Sequence, residues 1–396
     1  MIRASSCTLS FDGAVERREQ PVKEKSKGKK KNTVLRFFGM AAAVLVLTGL
    51  LVKGCNYLLV DDASSYTRLT MHELYETADS GENIDTLFLG SSHCFRAYDP
   101  QLFTELTGES AFNLGSSSQN YDTSYYLLRE AARYNDLETV YLDMHYKFLF
   151  VDKKDRDLVQ ANIMSDYMRF SLNKLEFLLT TSEAGDYTNR FLPFRRNWQK
   201  LGDLSYLKEV WSKKRSESYQ EYEPVVQGEE YYVGRGFVWS DAKLDAEEIT
   251  WWDNFADVPE DMDSDVTYTL DYIGRIVEFC REEGIRLVFV TAPSFDRYLE
   301  EIGPYDLAHQ YIKELAEGYG VPYLDFNLCK DEYLNLGQES YIDVDHLNGK
   351  GAQELTTLLA DLSAPLAEAQ NAQETAGTDA DPVQEFIDEY FNAWYD

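Results

Sequence analysis

Short apolar runs alternate with segments of helical periodicity along most of this chain, a rhythm that predicts an α/β domain built on a parallel sheet. Thr86–Leu89 reads as the first strand, Ala111–Leu114 as the second and Thr139–Asp143 as the third. Between the last two, Tyr121–Tyr134 places Tyr125, Leu127, Leu128 and Ala131 at helical spacing. The rhythm resumes far downstream. A helix from about Val266 to Glu283 leads to a strand at Arg286–Thr291, a helix near Leu307–Tyr319, a strand at Val321–Asp325 and a closing helix ending near Leu362. From about 147 to 265 the pattern is broken by aromatic-rich sequence that reads as a large, mainly helical insertion. Its Trp198, Trp211, Trp239, Trp251 and Trp252 have two readings: packing within a subdomain, or a lid or groove whose faces stack on sugar rings or acyl chains. The pattern is compatible with both.

A different pattern opens the chain. From Phe37 to Val52 there is no charged residue, and if Lys53 snorkels the apolar character continues through Leu58, Leu59 and Val60. That length spans a bilayer. Lys23, Lys25, Lys27 and Lys29 to Lys31 precede it and Asp61 and Asp62 follow, so the positive-inside rule makes 1–34 a basic cytoplasmic tail and 35–60 a transmembrane anchor. Everything from 61 onward is then extracytoplasmic, at the plasma membrane. No small-x-small motif follows the run, which separates it from a cleaved signal peptide. Cys55 after Gly54 has the look of a lipoprotein site, but Lys53 interrupts it.

The domain proper is expected over 61–362. Beyond it, 363–381 is rich in Ala, Gln, Glu, Thr and Asp and reads as a flexible acidic linker. In 382–396, Val383, Phe386, Ile387, Tyr390, Phe391 and Trp394 recur at helical spacing, the mark of an amphipathic helix. Its Asp388, Glu389 and Asp396 favour docking on protein over an anionic membrane surface.

Composition narrows the function classes. The 396 residues carry a net charge of −31, which argues against nucleic acid as a partner. Five cysteines form no CxxC pair and no His/Cys metal spacing, so the sequence calls for no metal, no cofactor and no disulfide framework. Cys94 reads as a small apolar residue packed under a turn.

Candidate chemistry comes from two short motifs. Gly90, Ser91 and Ser92 follow the first strand, where a tight turn into a helix would expose a hydroxyl above the sheet edge. Asp343 and His346 stand in the loop before the last helix. A serine becomes nucleophilic when a histidine takes its proton, and the histidine needs a carboxylate to hold its tautomer. Either motif alone is common, since Gly-Ser-Ser makes ordinary turns and Asp343 would also cap a helix. Their order at opposite ends of an α/β pattern points to a split triad.

Leu87-Phe88-Leu89-Gly90-Ser91-Ser92-His93, Phe112-Asn113-Leu114-Gly115-Ser116 and Asp343-Val344-Asp345-His346-Leu347-Asn348 with Gly351 together resemble the SGNH, or GDSL-like, hydrolase superfamily. The nearest likeness is to its membrane-anchored branch, which includes the D-alanine transfer protein of teichoic acid synthesis (DltD-like) and exopolysaccharide O-acetyltransferases. The likeness covers roughly 80–145 and 265–362. It implies a flavodoxin-like three-layer α/β/α domain, with Ser92 as nucleophile, Asp343 and His346 as its partners, and the amides of Ser92 and Gly115 as oxyanion donors. The family's Asn at the end of the third strand is absent. Asp143 and His145 stand there instead, and with Ser91 they are accessory candidates, His145 as a replacement donor. His93 reads as a supporting residue, and His72 and His309 have no partner visible in the sequence.

The resemblance and the topology together lead to a membrane-anchored serine esterase or O-acyltransferase acting on a cell-envelope polysaccharide or teichoic-acid-like polymer. A transferase would draw its acyl group from a membrane-bound acyltransferase. The alternative is a non-catalytic envelope binding or assembly protein that keeps the fold.

Overall fold

The computed structural model describes residues 26–151, 153–154, 158–245, 267–295, 299, 305–375 and 381–392. Residues up to Cys55 form one unit and Asn56 onward another. In the first lies most of a helix, Ser26–Leu59, whose portion Thr33–Leu59 has 27 residues and a mean hydropathy of 2.1. At 1.5 Å per residue it is about 40 Å long, enough to cross a membrane with tilt.

The second unit is organised by a five-stranded parallel sheet. Its strands are β1 (Thr86–Leu89), β2 (Ala111–Asn113), β3 (Thr139–Asp143), β7 (Arg286–Thr291) and β8 (Tyr323–Asp325), in the order β2-β1-β3-β7-β8. Nearly every strand residue is buried, which is why the strands read as continuous apolar runs: both faces of the sheet are covered. Helices Tyr121–Ala132, Leu172–Thr180 and Thr267–Glu283 pack together as one group. Helices Ser92–Ala97, Pro100–Thr107 and Gly349–Thr375 form another. The result is the flavodoxin-like α/β/α order, with the strand order reversing between β1 and β3.

The insertion is helical from Val159 to Gln220 but then turns into a three-stranded antiparallel sheet of β4 (Val226–Gln227), β5 (Glu230–Gly234) and β6 (Phe237–Ser240). Helical patterning missed it. Its signal was local: Gly228 at φ +65° turns the first hairpin, and Arg235 at +48° and Gly236 at +87° turn the second. The second turn presses on the parallel sheet. Asn113 donates its N–H to the Arg235 carbonyl at 2.9 Å, and a Cβ on Gly236 would overlap the Asn113 carbonyl.

One further expectation changes, and another is narrowed. The stretch read as a linker from 363 continues the closing helix to Thr375, because it is rich in good helix formers and keeps Leu362 and Leu366 buried. Helix Pro382–Tyr390 docks on its own domain. Phe386 and Phe391 are buried, and Lys330 Nζ donates to the carbonyls of Asp388 and Glu389 at 2.8 Å each. Trp251, Trp252 and Trp394 lie outside the described residues.

Candidate active site

The C-terminal ends of the parallel strands build the site. β1 stops at Leu89, and Gly90 makes a turn that no larger residue fits: a Cβ there would stand 2.5 Å from Asp143 Cβ and 2.8 Å from Cys94 Cβ. Ser91 caps the following helix, its Oγ accepting from the His93 N–H at 3.4 Å, and is itself 1% exposed. Ser92 is the first helical residue and keeps a partly exposed side chain.

Its Oγ lies 2.8 Å from His346 Nε2. His346 Nδ1 lies 3.0 Å from each carboxylate oxygen of Asp343. Asp343 Oδ1 also accepts the backbone N–H groups of Asp345 and His346 at 2.9 Å, which folds the loop around the carboxylate. Burial works against a charge on Asp343, but the bond to His346 outweighs it and holds the carboxyl below its ordinary value. An ionised carboxylate only accepts, so Nδ1 of His346 is the donor to it, and the neutral ring in that tautomer leaves Nε2 to accept from the Ser92 hydroxyl.

Beneath this chain lies a buried cluster. Asp345 turns its carboxylate away from His346. Its Oδ1 is 3.1 Å from His93 Nε2 and accepts from Ser294 Oγ at 3.0 Å, and its Oδ2 is 3.6 Å from His145 Nε2. Burial resists charge on Asp345, yet the two histidines hold it well below the usual carboxylate range. Burial likewise pushes His93 and His145 below the ordinary imidazole value, so both rings are neutral near pH 7.

His93, His145 and Asp345 are close enough to share a metal ion. Their ring geometry does not suit one. The two imidazole centres are 3.7 Å apart with planes inclined by 31°, a stack, whereas two rings radiating from one ion at about 2.0–2.1 Å would have centres about 5 Å apart.

The other candidates fall in different places. Gly115 sits against the Ser92–Ala97 helix, but its N–H donates to Asn113 Oδ1 at 2.9 Å, so the amide is engaged and not aimed at a ligand. Asn113, whose Nδ2 donates to the Cys94 and Tyr98 carbonyls at 2.9 and 3.0 Å, ties β2 to that helix. His145 is 3% exposed and stacked on His93, so it underpins the site where a substituting oxyanion donor would have to line it. Asp143 is buried beneath Gly90, where burial pushes its carboxyl up to about 6. His309 pairs with Asp325 at 2.7 Å near a different cavity, and His72 stacks on Tyr222. Asp345 and Asn113 were missed as site residues. The one available signal was that Asp343 and Asp345 both lie within reach of His346, and spacing does not say which turns toward it.

A cavity of about 370 Å³, whose lining does not include Ser92 or His346, has Phe95, Gly115, Ser116 and Ser117 in its wall together with Asp61, Ser64, Ser65 and Tyr66. The last four follow the apolar helix directly.

No family model matches the chain, and no curated protein matches it. Among solved structures it overlaps a GDSL-like lipase from Bacteroides thetaiotaomicron VPI-5482 at 8% identity and a TM-score of 0.30, over 74% of this chain and 97% of that one. A protein assigned as an acylhydrolase, from Bacteroides fragilis NCTC 9343, overlaps at 9% identity and a TM-score of 0.30, over 73% and 94%. Overlap at that level carries no inference about chemistry, which rests on the side chains.

Proposed function

We propose that this chain is an SGNH-type serine esterase or O-acyltransferase, anchored in the plasma membrane, that acts outside the cell on a cell-envelope polysaccharide or teichoic-acid-like polymer. One observation carries the reading: Ser92, His346 and Asp343 form a continuous hydrogen-bonded chain although 254 positions in sequence separate the serine from the histidine.

In this mechanism the Ser92 oxygen attacks an ester carbonyl while its proton passes to His346 Nε2. Asp343 stabilises the imidazolium through Nδ1–H. The tetrahedral intermediate collapses, the alcohol leaves with the proton from Nε2, and acyl-Ser92 remains. His346 then deprotonates water or a sugar hydroxyl, which takes the acyl group and frees the serine. A membrane-bound acyltransferase that presents an acyl group would be the donor in the transfer version. The cavity beside Gly115 and the residues just after the membrane helix supports a substrate held close to the membrane surface.

A second reading, a non-catalytic envelope binding or assembly protein, is favoured by one feature. The Gly115 amide is bonded to Asn113, so an oxyanion would have to displace that contact.

Intact-mass analysis of the full chain in detergent after a fluorophosphonate probe tests the two. The enzyme reading expects one adduct on the parent, lost in Ser92→Ala and His346→Ala and retained in Ser91→Ala. A folded parent that stays unlabelled sinks it in favour of the binding protein.

A further inference from the structure

The helical insertion bears a surface that the triad does not use. In the short helical segment Pro193–Gly202, Trp198 is 62% and Leu201 61% exposed, and Leu204, which opens the next helix, is 79% exposed. Trp198 and Leu201 are three residues apart in a 3₁₀ segment, so they lie on one face. Side chains of this size grouped on a surface mark a place where something apolar is met.

The same segment is fastened to the end of the apolar helix. Phe194 donates its N–H to Asn56 Oδ1 at 2.9 Å, Asn197 Nδ2 donates to the Leu59 carbonyl at 3.0 Å, and the Tyr206 hydroxyl donates to that carbonyl at 2.9 Å. Lys213 and Lys214 pair with Asp61 and Asp62, the first charges after the apolar run, at 2.9 and 2.8 Å. The segment that carries Trp198 and Leu201, and the helix that Leu204 opens, are thereby tied to the residues that close the apolar helix. Charge agrees with this placement. Arg195, Lys200 and Lys208 are exposed among these residues against Asp203 and Glu209, a small positive excess although the whole chain carries −31.

We propose that Trp198, Leu201 and Leu204 form a membrane seat. They insert into the headgroup–acyl boundary of the bilayer that holds the Thr33–Leu59 helix, while Arg195 and Lys200 meet anionic headgroups. Tryptophan suits this boundary because its ring is apolar and its N–H is not. The seat rests on reading that helix as a span and is independent of the chemistry at Ser92. It would fix the height of the catalytic unit above the membrane.

The test uses the full chain in phosphatidylcholine vesicles with and without phosphatidylglycerol, the acyl chains brominated near the headgroup, with tryptophan fluorescence as the readout. The parent is expected to be quenched by brominated lipid, with a component that Trp198→Tyr loses. Arg195→Glu combined with Lys200→Glu should reduce that component in the phosphatidylglycerol vesicles. Equal lipid quenching of the parent and Trp198→Tyr, with Trp198 open to aqueous iodide, overturns the seat. So does protection of Trp198 that appears only at high protein-to-lipid ratio, which would mark an interface between copies. Release of the chain by an alkaline wash removes the span itself and the seat with it.

Discussion

His93 and Asp345 touch at 3.1 Å, one residue beyond Ser92 and one residue before His346. The two dipeptides are thus joined twice, once by the proposed nucleophile and base on the surface and once by a buried polar contact directly beneath. The expected consequence is that His93 against Asp345 holds Ser92 in register with His346. Replacement by His93→Leu should leave Asp345 short of a hydrogen-bond partner, costing about 1–3 kcal/mol. It should also slow labelling of Ser92 about 10²-fold through a displacement of order 1 Å. His93→Gln, which keeps a polar group toward Asp345, should recover most of the rate. Probe kinetics that separate the limiting rate from apparent affinity check this, with the loss expected in the rate. Equal rates for the parent and His93→Leu would show that the contact does not position the pair.

Asp343 holds the proton on His346 Nδ1. Asp343→Asn can present an amide N–H to Nδ1 and favour the wrong tautomer, so ester hydrolysis should fall by about 10⁴-fold with little change in thermal stability. Parallel assays of p-nitrophenyl acetate turnover and unfolding temperature separate the two effects. Retained turnover would assign the orienting role to another carboxylate.

Gly90→Ala places a methyl against Asp143 and Cys94 beneath the turn. Overpacking of this kind costs about 1–3 kcal/mol. Because Ser92 is two residues on, its labelling should drop together with the unfolding temperature. A variant with parent-like labelling would show that the turn relaxes without moving the serine.

Asp143 contributes a pH dependence of known sign. Burial raises its carboxyl from the ordinary 3.8 to about 6, so between those values the folded chain holds a proton that the unfolded chain has lost. Its contribution to stability is full below the unfolded value and disappears as pH rises through about 6. Asp143→Asn lacks this loss. The variant should match the parent near about pH 3 and exceed it by up to about 3 kcal/mol near about pH 7.5, at 1.36 kcal/mol per unit. His93 and Asp345, which also face Asp143, are present in both chains, so the difference in unfolding temperature isolates the carboxyl. A gap that does not change with pH would mean that Asp143 is ionised throughout.

Strand positions were legible from the chain because a parallel sheet covered on both faces demands unbroken apolar runs, and β1, β3 and β7 begin and end where those runs do. The hairpins of β4 to β6 were less visible, since β4 has two residues and the alternation around Tyr231 and Tyr232 is too short to outweigh the helical sequence before it. The closing helix outran its expected end because an Ala- and Gln-rich segment has the composition of a linker and also the propensity of a helix, and only the docking of Leu362 and Leu366 distinguishes them.

At the site, Ser92, Asp343 and His346 could be nominated from the sequence because their chemistry restricts residue type and their order along the chain restricts the fold. Sequence by itself also determined the apolar helix, since a run of uncharged residues is a local property. What Asp345, His93, His145, Asn113 and Trp198 do was decided only by tertiary structure. Each role depends on which way a side chain faces and what lies opposite it. Asp345 turns inward while Asp343, two residues earlier, turns to His346; Asn113 takes the Gly115 amide; Trp198 stays exposed next to Asn197, which bonds the Leu59 carbonyl. Those directions are set by contacts between residues far apart in the chain, and spacing does not encode them.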